Sequence, residues 1–205
     1  MNNNQLLPGS NGEHKMQEEF NTQNKAKSFY DTQMLDYLAP HMQTFIEKQE
    51  MVFIATSDKN GECDSSLRTG KAGFIVVINK HTIAYADFRG NGVLASAGNI
   101  SENPHIGMLF VDFFENKVGL HVNGRATIID ESSLLSILEE SNTQINLPSL
   151  NQKISFWVLV HVEEAYIHCS RNIPLLKKNE DTSESNKSRP IDYFELQNTA
   201  NSTTS

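Results

Sequence analysis

The chain has 205 residues and is short of several things that would assign a class at once. It has two cysteines, Cys63 and Cys169, too few for a disulfide framework or a cysteine-rich metal cluster. A reduced, cytoplasmic setting is the simplest expectation, and there the Asn-X-Ser match at Asn99 means nothing as a glycan site. Basic residues are in deficit, 17 against 25 acidic ones, for a net charge of −8. That argues against a general nucleic-acid binder, which carries a basic face. It leaves room for a local anion pocket, because one phosphate needs only a few donors. No apolar run approaches the roughly 20 residues that span a bilayer, so no membrane partner is expected. Met1-Asn2-Asn3-Asn4-Gln5 has neither the basic start nor the apolar core of a signal peptide. There is no internal repeat.

What is present reads mostly as β-structure. Residues 1–28 are polar, lack a sustained apolar period and are expected to form a flexible leader. From Phe29 the pattern changes. Leu35, Leu38, Met42, Phe45 and Ile46 recur at helical spacing, and Pro40 fits the first turn of a helix over about 40–50. Two β-rich runs, 51–57 and 62–68, flank the turn signal Asp58-Lys59-Asn60-Gly61. The second is unusually polar for the partner of so apolar a strand. Ser65, Ser66 and Arg68 there suit either a solvated edge strand or a strand lining a ligand site. Strands follow at 74–78, 82–86, 106–112, 118–129 and 156–162, the last running on towards 169. Gly124 inside the run 118–129 predicts a bulge or bend. A short amphipathic helix is expected at 132–140, then a polar connector over 141–153. From Lys177 the chain is charged and rich in Ser and Asn, a tail on which Ile191, Tyr193, Phe194 and Leu196 could dock a final turn. About seven strands joined by short turns argue for a small closed barrel or sandwich.

The stretch Asp87 to Phe113 organises the functional reading. Asp87-Phe88-Arg89-Gly90-Asn91-Gly92 is a glycine-flanked turn, and Val93-Leu94-Ala95-Ser96-Ala97 after it forms helix readily. Such a loop feeds a helix N-terminus, where free amides and the dipole favour an anion. Arg89 adds a forked, permanently charged donor. On these residues alone, a phosphate seat and an ordinary turn with a solvated arginine both stand. His121, His161 and His168 lie in apolar strands and are expected to be structural, Trp157 to be core, and Cys169 to be inert.

An ordered series of short motifs resembles a known family. It runs Ser65-Ser66-Leu67-Arg68, Gly73-Phe74, Asp87-Phe88-Arg89-Gly90-Asn91, Gly98-Asn99-Ile100, Asn103-Pro104-His105-Ile106-Gly107 and Val122-Asn123-Gly124-Arg125-Ala126, with Tyr166-Ile167-His168-Cys169 near the end. The series is similar to the pyridoxamine 5'-phosphate oxidase superfamily, in particular its flavin-nucleotide-binding branch, over residues 29–174. The resemblance implies a mostly β fold, an FMN-binding split β-barrel with short flanking helices, occupying residues 29–176 between the leader and a tail at 177–205. It implies FMN as cofactor, bound at a homodimer interface. Arg68 matches the family's cofactor-contacting arginine, Thr69-Gly70-Lys71 would pass along the flavin, and Arg89 and Asn91 match the second phosphate cluster. With Asp87 and Ser96 these are the expected cofactor residues.

The oxidase proper carries a Ser-Arg-Lys run where this chain has Arg89-Gly90-Asn91, and an arginine-rich C-terminus that this chain lacks. Both departures turn the expectation away from a pyridoxamine substrate and leave FMN in place. The expected function is that of an FMN-dependent oxidoreductase on a small molecule, with NADH or NADPH as electron donor. A non-catalytic flavin carrier or redox sensor and a haem-binding barrel are the alternatives. No catalytic acid or base is required of the chain, because the flavin performs the redox step.

Overall fold

The computed structural model describes residues 7–141 and 154–178. The chain divides into Met1–Leu175 and Leu176–Ser205. Of the second unit only 176–178 are described, and they form neither helix nor strand. The cluster at 191–196 and nearly all of the connector at 141–153 lie outside the described residues.

Seven strands make one antiparallel sheet: β1 Met51–Ser57, β2 Cys63–Thr69, β3 Ile75–Asn79, β4 Thr82–Phe88, β5 His105–Asp112, β6 Val118–Ile129 and β7 Ile154–His168. Five helices flank it: α1 Asn11–Glu19, α2 Gln23–Gln33, α3 Pro40–Glu47, α4 Ala95–Glu102 and α5 Glu131–Glu140. The strand order is β2-β1-β5-β6-β7-β4-β3. The closed barrel that the strand count suggested is therefore not formed, since β2 and β3 both remain edges. Yet residues 70–74 join those two edges directly, and five residues reach at most about 18 Å. The sheet must curl until its edges approach. They do not pair; the linker between them turns back on the segment before β1, with Gly70 N–H donating to Glu50 O at 2.9 Å and Gly73 N–H to Glu47 O at 2.8 Å. The result is a barrel split between β2 and β3.

Alternation along the strands fills the inside of the curl. Val52, Ile54, Ile83, Tyr85, Met108, Phe110, Leu120, Val122, Val158 and Val160 form the main core, closed by Leu38 and Ile46 around α3. Large side chains of this kind contribute about 1.5–3 kcal/mol each on full burial. A second cluster lies on the opposite face, where Leu134 and Leu138 of α5 cover Ala84, Ala86 and Trp157. Strands β3 and β4 are thus buried on both faces, which is why Phe74–Ile78 reads as an unbroken apolar run. Pro40 sits in the first turn of α3. Leu35 is not helical but forms an isolated bridge with Ala165.

The segment expected to be a flexible leader carries two helices, and residue 28 falls inside α2. The missed signal is Ser10-Asn11-Gly12-Glu13, a capping box in sequence. The Ser10 hydroxyl accepts from the Glu13 amide at 3.1 Å, and polar residues of fair helix propensity continue the turn. Tyr30 of α2 bonds Glu13 and Gln17 of α1, and Phe29 meets the Tyr166 ring edge-on at 5.7 Å. Only Tyr30 in this pair of helices is buried, so an apolar period had little to report.

The β6–β7 register shifts at Asn123/Gly124, the bulge that Gly124 announced. A Cβ on Gly124 would stand 2.0 Å from the His161 carbonyl oxygen, whereas one on Gly98, inside α4, would meet nothing. Gly124→Ala should therefore force two strands apart and cost about 2 kcal/mol or more. Gly98→Ala should stabilise by about 0.5–1 kcal/mol through helix propensity. Urea unfolding midpoints of the two variants should move in opposite directions; a shift in the same direction would contradict this packing.

Candidate functional site

A cleft of about 590 Å³ opens at the split, within the range of small-molecule sites. Three elements build it. Period-two alternation along β2 puts Asp64, Ser66 and Arg68 on one face. Strand β4 delivers Ala86, Asp87 and Phe88, and the turn after it contributes Arg89 to Gly92. The first turn of α4 adds Ala95, Ser96 and Ala97. Helix α4 is fixed to β1 by two amides: Asn99 Nδ2 donates to Thr56 Oγ1 at 3.1 Å, and Asn103 Nδ2 to Ser57 Oγ at 2.9 Å. The Gly98-Asn99-Ile100 and Asn103-Pro104 motifs thereby acquire a structural role, that of holding the helix start at the cleft.

One chain of polar contacts crosses the cleft. Arg68 Nη2 donates to Asp87 Oδ2 at 3.0 Å, an ion pair that spans the split. The same nitrogen reaches Ser96 Oγ at 3.5 Å. The Ser96 hydroxyl donates to Asp64 Oδ2 at 3.0 Å, and Ser66 Oγ to the same oxygen at 3.5 Å. Arg68 Nε is buried and unpartnered. Tyr85, fully buried beside this pair, also has a hydroxyl without a partner. Burial pushes its pKa far up, with the nearby Arg68 opposing and Asp87 adding to the rise. On the loop, Asn91 Oδ1 accepts from the Val93 amide at 3.0 Å, closing the turn on itself. Gly92 has φ +82°, a conformation that favours glycine, and Leu94, at the start of α4, also has positive φ at 55°. No side chain caps the first turn of α4. Arg89 is exposed and makes no ion pair among the described residues. Apolar side chains form the rim: Leu67, Val93 and Leu94 are 50%, 72% and 53% exposed.

Of the eight residues expected at the cofactor, the structure brings six to the cleft: Arg68, Thr69, Asp87, Arg89, Asn91 and Ser96. Gly70 and Lys71 do not line it. Gly70 has a packing task instead, because a Cβ there would stand 2.5 Å from that of Phe74. Lys71 is exposed. Ser65, weighed as a donor, alternates to the other face of β2. Sequence reasoning missed Asp64, although its spacing of four from Arg68 and two from Ser66 along a strand places it beside them.

Away from the cleft, His121 and His168 are joined through Nε2 and Nδ1 at 2.8 Å. His121 also stacks on Tyr166, with ring centroids 4.7 Å apart. Trp157 is core, 1% exposed. Cys63 and Cys169 are free and exposed. Among the described residues, no group of three or more His, Cys, Asp or Glu could hold a metal ion, and no helix is long and apolar enough to cross a membrane.

Comparison with known proteins places residues 38–169 on the model of the pyridoxamine 5'-phosphate oxidase family. No curated protein matches the chain. Among solved structures, the chain is similar to an FMN-binding protein from Syntrophomonas wolfei, at 14% identity over 75% of this chain and 97% of that one, with a TM-score of 0.45. It is similar to HupZ from Group A Streptococcus at 21% identity over 63% and 92%, TM-score 0.44. It is also similar to HutZ, the heme storage protein from Vibrio cholerae, at 16% over 63% and 94%, TM-score 0.41.

The histidine pair makes stability depend on pH. Burial, and next the charge of His168, hold the His121 pKa below the ordinary value of 6.5. As pH falls below 6.5 the unfolded chain takes up a proton that the folded one refuses. Stability present above that pH is then lost progressively, down to the lower folded value. The urea midpoint should therefore drop between pH 7.5 and 5.5, and by less in His121→Phe. Equal drops in both proteins would remove His121 from this role.

Proposed function

The chain belongs to the pyridoxamine 5'-phosphate oxidase family, and from that premise we propose that its cleft holds FMN and that the protein is an FMN-dependent oxidoreductase acting on a small molecule. The observation that carries the reading is the convergence of Arg68, Arg89, the Gly90–Gly92 turn and the uncapped start of α4 on one cleft. The donor set suits a phosphate. Arg68 Nε lacks a partner, Arg89 is free to reach outward, and the first-turn amides of a helix favour an anion. Val93 and Leu94 at the rim offer apolar surface to a flat ring system.

When bound, FMN supplies the electron transfer. The chain's residues seat the phosphate, orient the ring and keep water from it. NADH or NADPH is the proposed electron donor. Two free, exposed thiols support a reducing, cytoplasmic setting.

The proposal includes a homodimer. Leu67, Phe53 and Leu109 are successive cross-strand partners on the outer face of β2, β1 and β5. Phe53 is 37% exposed there, and Leu67 at the cleft rim is half exposed. An apolar row running up to an open-sided cleft fits a second copy that covers the row and walls the site. Light scattering at micromolar concentration with flavin present should give twice the 23.0 kDa chain mass; a monomer would count against this assembly.

The cofactor is tested by the visible spectrum of the purified protein, and its seat by mutation. A hydrogen bond to a charged group contributes about 1.5–3 kcal/mol, so Arg89→Ala should weaken FMN roughly 10–100-fold. Riboflavin, which lacks the phosphate, should bind the variant much as it binds the wild type. Equal weakening of both flavins, or of neither, would sink the phosphate seat. Reduction by NADH or NADPH followed by reoxidation with an acceptor establishes turnover; bound flavin without turnover would make the protein a carrier or redox sensor.

A further inference from the structure

The cleft that offers two arginines to a phosphate also holds two carboxylates. Its charged lining residues are Arg68, Arg89, Asp64 and Asp87, so its formal charge is zero. The two aspartates are placed differently. Asp87 is paired directly with Arg68 across the split, and this pair sets where the guanidinium sits. Asp64 is paired with no cation among the described residues. Its Oδ2 accepts from Ser96 Oγ at 3.0 Å and Ser66 Oγ at 3.5 Å. One serine thus separates an uncompensated carboxylate from Arg68, whose Nη2 is 3.5 Å from that same Ser96 oxygen. Ser96 is buried, and its single proton is committed to Asp64. A phosphate at Arg68 would meet a serine whose donor is already used, with a negative charge behind it.

We infer that Asp64 is a specificity-determining residue of the cleft, one that restrains the binding of a dianionic phosphate by its charge and by drawing the Ser96 hydroxyl away from the ligand. The inference rests on the FMN reading. It assigns Asp64 a cost to FMN that riboflavin does not bear, so the chain trades phosphate affinity for discrimination by ligand charge. The interaction acts through a partly enclosed region, where charges are felt over several ångströms. It weakens with added salt to the extent that solvent reaches it.

Asp64→Asn is the direct test. The carboxamide oxygen still accepts from Ser96, and only the charge is removed. Binding of FMN and riboflavin is measured by quenching of flavin fluorescence at pH 8, where the FMN phosphate is a dianion. The variant should tighten FMN about 10-fold and leave riboflavin within about twofold of wild type, and the gain should shrink in high salt. Asp64→Glu, which keeps the charge, should stay near wild type for both ligands. The inference is overturned if Asp64→Asn leaves the FMN-to-riboflavin affinity ratio unchanged, or if it loses both flavins, which would make Asp64 a support of the cleft instead of a charge gate. In either case wild-type binding of FMN keeps the cofactor reading intact. If the wild type binds neither flavin, the FMN reading itself fails and this inference falls with it.

Discussion

The five residues from Gly70 to Phe74 constrain everything else. They tie the first edge of the sheet to the last, so the strands between must curl around a common interior. Gly70 makes the tie short, because only a residue without Cβ tolerates the Phe74 side chain at that distance. Phe74 in turn is buried in the main core, so the linker is anchored by packing as well as by its amide hydrogen bonds to the carbonyls of residues 47 and 50. Those hydrogen bonds turn the linker towards the segment before β1, and no ladder joins the β2 and β3 edges. The Arg68–Asp87 pair then does across the gap what a ladder would have done, with side chains in place of backbone. A side-chain closure leaves room between the edges, and that room is the cleft.

The site therefore follows from topology before it follows from chemistry. Edge strand β2 need not be apolar on its inner face, because part of that face borders the cleft and not the core. Asp64, Ser66 and Arg68 are the cleft wall, while Ser65 and Leu67 alternate outward. The same logic explains α4. Its buried face, Ser96 and Ile100, is short and half polar, too little to hold eight residues by apolar burial alone. The Asn99 and Asn103 amides supply the rest by bonding to β1. A helix fixed at its body and C-terminus presents a steady N-terminus, as a pre-organised site requires.

Much of this was legible in the sequence, for physical reasons that differ by element. Strand β6 could be read over 118–129, and the bulge at Gly124 was visible because a strand interior rarely accepts glycine without cause. The 58–61 turn and the Pro40 helix start were visible through local chemistry that tertiary context did not override. The N-terminal helices were not, because they dock through Tyr30 and Phe29 and otherwise face water, so neither an apolar period nor low polarity marks them. The split was legible only through the family resemblance, which implied it: strand counting alone cannot tell a closed barrel from one whose two edges stay unpaired. At the cleft, charge type was easier to read than neighbourhood. Arg68 and Arg89 stood out as cations beside glycine and serine, whereas Asp64 looked like one more acidic residue in an acidic chain until the alternation along β2 set it beside Ser66 and Arg68.

The buried groups without partners point in the same direction as the charges. Leaving a buried polar atom unsatisfied costs about 1–3 kcal/mol, and a folded chain keeps few such atoms. Among the described residues three side-chain atoms are in this condition: Arg68 Nε, the Tyr85 hydroxyl and Trp157 Nε1. Trp157 lies under α5 in the second cluster, apart from the cleft. The other two adjoin the Arg68–Asp87 pair, and burial holds Tyr85 firmly in its neutral, donor-bearing form. Two unsatisfied donors beside an ion pair that spans a gap form a region of unmet hydrogen-bonding demand, built where the sheet fails to close. Tyr85 belongs to the main core and does not line the cleft, so within the cleft the unmet demand rests on the Arg68 guanidinium, which the Asp87 pair holds in place before any acceptor arrives.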